Sequence, residues 1–86
     1  MANVTIYSSN FCPFCFRAKQ LLEYKQAAFD EINVDGNHQL RQEMMEKCGR
    51  HTVPQIWIGD RHVGGCDDLF ALESAGELDA LLAASN

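Results

Sequence analysis

A chain of 86 residues with 47% hydrophobic content is long enough for one small core and too apolar to be disordered. A net charge of −5, with seven basic residues scattered along the chain, argues against nucleic acid, whose phosphates require a clustered basic face. No apolar run approaches the roughly 20 residues that span a bilayer, and "MANVTIYSS" has neither the basic start nor the apolar stretch of a signal peptide, so the expectation is a soluble, cytoplasmic protein without a membrane partner.

In chain order, "NVTIYS" is β-branched and aromatic and predicts a first strand. "PFCFRAKQLLEYK" predicts a helix, in which Phe14, Ala18, Leu21, Leu22 and Lys25 recur as one stripe. "FDEINV" reads as a second strand. Asn37 suits the N-cap of a second helix reaching Cys48, with Gly49 as its stop. "VPQIWI" resembles a strand buried on both faces, joined by a two-residue "GD" hairpin to "RHV". "DDLFALES" opens with acids that suit a helix start, and "ELDALLAAS" closes the chain as a last helix. No linker or repeat interrupts this order, which predicts one α/β domain over residues 1–86. Strand–helix alternation implies a parallel crossover with covered sheet faces.

On this map Cys12 and Cys15 lie between a strand and a helix. Pro13 is favoured at a first helical position, which puts Cys12 at or beside the N-cap and Cys15 one turn in. The free N–H groups and dipole of a helix start favour an anion, and the thiolate is the reactive form of cysteine. Cys12 is therefore expected to be the nucleophile and Cys15 the resolving thiol. A purely structural pair and a zinc site remain as alternatives. Formally, Cys12, Cys15, Cys48 and His51 make a C-x₂-C-x₃₂-C-x₂-H set. Against zinc, Cys48 ends an apolar helical stripe and reads as a buried core residue. The three histidines, His38, His51 and His62, read as surface or loop residues.

"CPFC" after a first strand, "TVPQIWI" at 52–58 and "GGCDDL" at 64–69 together resemble the glutaredoxins, and "DGN" and "GR" before "HTVP" resemble their bacterial dithiol branch. The resemblance implies a thioredoxin fold, a four-stranded mixed sheet with helices on both faces. It implies no bound cofactor and glutathione as co-substrate. It also implies that glutathione lies along Thr52, Val53 and Pro54, with a cis Val53–Pro54 bond, and beside Phe14. The γ-glutamyl end would sit at Gly65, Cys66, Asp67 and Asp68, and Arg41 would meet the glycyl carboxylate. Glutathione-dependent disulfide oxidoreduction follows, by a monomer acting on disulfide-containing or glutathionylated proteins, ribonucleotide reductase among them. A cluster-carrying dimer and a flavoprotein-fed, thioredoxin-like reductase are the rival readings. The chain departs from the pattern in three places. Ser9 stands near where relatives often carry lysine, Phe14 replaces tyrosine, and Phe11 replaces a small polar residue, adding an exposed apolar surface for partners.

Overall fold

The computed structural model describes residues 2–84. Its elements are β1 (Val4–Ser8), α1 (Pro13–Tyr24), β2 (Phe29–Asn33), α2 (His38–Cys48), β3 (Gln55–Ile58), β4 (Arg61–Gly64), α3 (Cys66–Ser74) and α4 (Leu78–Ala83). The strands form one sheet in the order β2-β1-β3-β4. β1 and β2 are parallel, with α1 as the crossover that a parallel pair needs, whereas β3 pairs antiparallel with both β1 and β4.

Side chains alternate across this sheet and divide the interior in two. Val4, Ile6, Ile56 and Ile58 face one way and pack against Ala18, Leu21 and Leu22 of α1, Leu69 of α3, and Leu78 and Leu82 of α4. Tyr7, with Trp57 and Ile32 beside it, faces the other way and packs against Met44 and Leu40 of α2. Helices thus cover both faces, which is the arrangement of the thioredoxin fold. The Ala2 N–H donates to the Leu82 carbonyl at 3.0 Å, and Lys25 bridges Glu73 at 2.7 Å and Asp79 at 2.8 Å, so α4 is tied to the start of the chain and to the end of α1.

The β3–β4 hairpin turns at Gly59 and Asp60, and the φ of 61° at Gly59 suits the residue that lacks a Cβ. Pairing of Ile56 with Gly64 and of Trp57 with His62 leaves Val63 unopposed, a bulge that bends β4 just before the Gly64–Gly65 turn.

Several expectations need correction. The buried stripe of α1 runs through Cys15, Ala18, Leu21 and Leu22, whereas Phe14 is exposed and Lys25 is the C-cap. Phe14 is the second residue of the helix and is exposed, whereas its neighbour Cys15 is buried, so a shift of one residue, about 100° around the axis, decides which side chain meets the sheet. The third strand begins at Gln55, because Pro54 has no N–H to give a ladder. Cys48 is only half-buried, since its sulfur lies at the helix end against the Arg50 N–H at 3.4 Å. His62 belongs to β4 and is half-buried against Trp57. The last helix ends at Ala83, and Ser85 lies outside the described residues.

Candidate active site

Cys12 is the N-cap of α1, with extended backbone at φ −111° and ψ 102°. Pro13 follows as the first helical residue and brings no N–H of its own. The Cys12 sulfur accepts from the Cys15 N–H, the third of the helix, at 3.1 Å. Sulfur thereby fills the role that serine or aspartate oxygen usually has at a helix start. The same sulfur lies 3.9 Å from the Val53 carbonyl oxygen, within reach of a weak S–H···O contact.

The two sulfurs differ sharply in environment. Cys12 is half-buried, whereas Cys15 is 1% exposed beneath the first turn. Burial pushes the Cys15 thiol up to about 12, and its hydrogen bond with Cys12 adds to the effect. At neutral pH Cys15 is a protonated thiol under an accessible sulfur.

An open groove of about 220 Å³ lies beside this pair. One wall is Thr52, Val53, Pro54 and Gln55, and the other is Gly65, Cys66, Asp67 and Asp68, with Phe14 and Arg50 completing the lining. The Val53–Pro54 peptide bond is cis, as the resemblance implied. Gln55 holds the first wall in place: fully buried, it donates to the Thr52 carbonyl at 3.1 Å and accepts from His62 Nε2 at 2.8 Å. Burial, and then the nearby Arg50 guanidinium, push the His62 imidazole below its ordinary value.

The second wall depends on two glycines. Gly64 has φ 119°, and a Cβ there would run into the Asp68 carboxylate. A Cβ on Gly65 would stand 3.4 Å from the Pro54 carbonyl oxygen, so the two walls meet closely at this point. Gly65 is the N-cap of α3, and its N–H donates to Asp68 Oδ2 at 2.9 Å. Arg50 Nη1 reaches the same oxygen at 3.2 Å. The Gly65 N–H and then Arg50 hold the Asp68 carboxyl below the usual carboxylate range. Asp67 is exposed beside them, and Cys66 is buried with its thiol pushed up by burial.

Ten of the eleven site residues expected from sequence come together here: Cys12 and Cys15 at the helix start and eight in the groove lining. Arg41 stands apart. Its guanidinium donates to the His51 carbonyl at 3.2 Å, so it steadies the segment ahead of Thr52 and does not line the groove. Arg50 and Gln55 do line it and were missed. The sequence signal for Arg50 was the "GR" before "HTVP", and for Gln55 it was a polar residue inside an otherwise apolar strand. Near Ser9, where a lysine is absent, the Ser9 hydroxyl and the Asn10 N–H both donate to Asp35. Among the described residues no group of three or more His, Cys, Asp or Glu side chains is placed to hold a metal ion. Nor is any described helix long and apolar enough to cross a membrane.

Comparison with known proteins returns a consistent likeness. The family model described as Glutaredoxin matches residues 4–63. "Glutaredoxin" of Pseudomonas aeruginosa is 61% identical over 84 residues, covering 98% of this chain and 100% of that protein. "Glutaredoxin 3" of Escherichia coli K12 is 55% identical over 82 residues, covering 95% and 99%. Among solved structures, the crystal structure of a buckwheat glutaredoxin–glutathione complex superposes with a TM-score of 0.87 at 27% identity, covering 94% of this chain and 76% of that one.

Proposed function

The chain belongs to the glutaredoxin family of thiol–disulfide oxidoreductases, and from that premise we propose that it reduces protein disulfides and glutathione mixed disulfides with glutathione as electron donor. The observation that carries this reading is one groove with the Cys12 sulfur near Val53 at one side and the α3 start at the other. A tripeptide disulfide would lay its backbone along Val53 and its γ-glutamyl carboxylate on the free N–H groups at Cys66 and Asp67. Its α-ammonium would meet the exposed Asp67. The buckwheat glutaredoxin solved with glutathione supports this choice of ligand. The cation lining the groove is Arg50, and Arg41 acts at one remove through the His51 carbonyl.

In deglutathionylation, the Cys12 thiolate attacks the glutathione sulfur of a mixed disulfide. The S–S bond breaks, and the protein thiolate leaves and takes a proton. A second glutathione thiolate then attacks the Cys12–glutathione bond, releasing glutathione disulfide and the Cys12 thiolate. With a protein disulfide, the first attack leaves the client bonded to Cys12. Cys15 must lose its proton before it can displace the client. Part of what holds that proton is Cys12 itself, through its hydrogen bond and charge, and that part disappears once Cys12 is in a disulfide. Two glutathiones then reduce the Cys12–Cys15 bond. On this reading residues 1–86 are one domain, acting as a monomer in a reducing compartment such as the cytoplasm, with ribonucleotide reductase among its clients by family resemblance.

A glutathione-coupled disulfide reduction assay tests the proposal. Cys12→Ser should fall to background, whereas Cys15→Ser should keep deglutathionylation and lose the dithiol route. Full activity in Cys12→Ser would sink the mechanism.

A further inference from the structure

A second cavity, of about 380 Å³, shares no lining residue with the groove described above. Cys12 and Cys15 are part of its lining, with Phe11, Phe16, Ser9 and Lys19 around them. Its volume falls within the roughly 300–1,000 Å³ typical of ligand clefts.

Phe11 precedes the N-cap of α1, and Phe16 is the fourth helical residue. An apolar pair at these two positions ordinarily packs together and fixes the angle at which the chain enters the helix. Here Phe11 is at 103% relative exposure and Phe16 at 59%, so the pair stands open. Phe11 also has φ 55°, a left-handed conformation in which an L-residue's Cβ crowds its own carbonyl oxygen. A bulky aromatic held in this conformation while packing on nothing is an outlier, and such outliers cluster at functional sites.

The polar groups around the cavity are already engaged. Ser9 and the Asn10 N–H are bonded to Asp35, and Lys19 is paired with Glu31 at 2.8 Å. The cavity therefore offers aromatic rings and a reactive sulfur, with little to hold a charged tripeptide.

We propose that Phe11 and Phe16 form a docking surface for protein clients, seating a bulky apolar side chain next to the client's disulfide cysteine. The inference rests on the reading of Cys12 as the attacking sulfur. A client cysteine in reach of Cys12 carries its sequence neighbours over this cavity, where an aromatic contact adds to simple burial.

The test uses a Cys15→Ser background, so that exchange stops at Cys12. Two short peptides are activated as thionitrobenzoate mixed disulfides, one with Phe on both sides of its cysteine and one with Ser. Cys12 attacks the peptide sulfur, and thionitrobenzoate leaves as the coloured thiolate. The Phe peptide should react roughly tenfold faster than the Ser peptide, equivalent to about 1.4 kcal/mol. Phe11→Ser with Phe16→Ser should abolish that preference and leave the rate with glutathione thionitrobenzoate disulfide within about twofold of its starting value, well under the tenfold effect. Equal rates for the two peptides, or the same loss on the glutathione reagent, would overturn the proposal. So would a wild-type dimer, seen by sedimentation, that Phe11→Ser dissociates, because a second copy would then occupy the surface. None of these rates needs glutathione turnover. A chain that failed the coupled assay yet kept its peptide preference would sink the glutathione reading and leave this one standing.

Discussion

Two helix starts serve the candidate site, and they are loaded in opposite ways. α1 begins with sulfur at its N-cap, proline at its first position and no acid in its first turn. α3 begins with glycine at its N-cap and carries Asp67 and Asp68 in its first turn. Both present unsatisfied N–H groups and the positive end of a dipole. At α1 nothing competes for that field, and the Cys15 N–H is aimed at the Cys12 sulfur. At α3 Asp68 folds back on the Gly65 N–H and takes Arg50 as partner, leaving Asp67 exposed beside it. One backbone device is thus aimed at a sulfur at one end and flanked by two carboxylates at the other. The residue at the cap and the acids behind it make the difference.

The largest test of this comparison after the cysteine variants is Gly64→Ala. Its φ of 119° is left-handed backbone that suits glycine, and the added Cβ would collide with the Asp68 carboxylate. A loss of about 1–3 kcal/mol is expected in urea unfolding, with a raised KM for the glutathione substrate. Unchanged stability and KM would show that Asp68 does not depend on the close approach of Gly64.

At the other helix start, Cys15 sharpens the contrast through pH. Its folded value, pushed up to about 12 chiefly by burial, lies above the ordinary 9.0. Folding therefore retains a proton that the unfolded chain releases. That contribution is full below about pH 9 and is lost as pH rises toward 12. Wild type should lose stability more steeply than Cys15→Ala between about pH 8 and pH 10.5, measured by urea unfolding. Parallel curves would show that burial does not control this thiol.

Asp68→Asn probes the opposite sign. Its folded value is depressed by the Gly65 N–H and by Arg50, so its contribution is present above the ordinary 3.8 and is lost as pH falls through the folded value. The variant should lose about 1 kcal/mol at neutral pH, the size of one partly exposed charged hydrogen bond. It should also show a flatter acid limb than wild type. An unaltered acid limb would mean that the carboxylate is not held in solution.

Arg50→Ala should have the smallest effect, about 0.2–1 kcal/mol, because both partners of its ion pair are half-exposed. The difference from wild type should shrink at high salt. A larger, salt-independent loss would mean that Arg50 supports the groove by packing and not by charge.

Much of this site is legible along the chain because its chemistry is local. Cys12, Pro13 and Cys15 lie within one helical turn, so spacing alone places one sulfur at the cap and the other a turn inside. Gly65 to Asp68 are likewise consecutive, and glycines before two acids announce a helix start with close backbone approach. Arg50 was missed because its partner, Asp68, lies on another element, and Gln55 because its contacts with Thr52 and, across the hairpin, His62 depend on how the chain turns at Pro54 and at Gly59–Asp60. The contact of Arg41 with the His51 carbonyl was not legible either, because its spacing from Val53 says nothing about which carbonyl its guanidinium will meet. Phe14 was read into the buried stripe because a pattern of threes and fours tolerates a shift of one residue at a helix tip, whereas Cys15, expected one turn in, is the residue buried there.

By itself, then, the sequence determined the order of elements, the cap cysteine and the family, since periodicity, turn chemistry and three ordered motifs are properties of neighbouring residues. The tertiary structure alone decided that α1 and α3 begin on one groove, that Arg50 and not Arg41 lines it, and that Phe11 stands open beside the sulfur. Those facts depend on a parallel crossover, an antiparallel hairpin and a bulge, which bring residues dozens of positions apart within a few ångströms of each other.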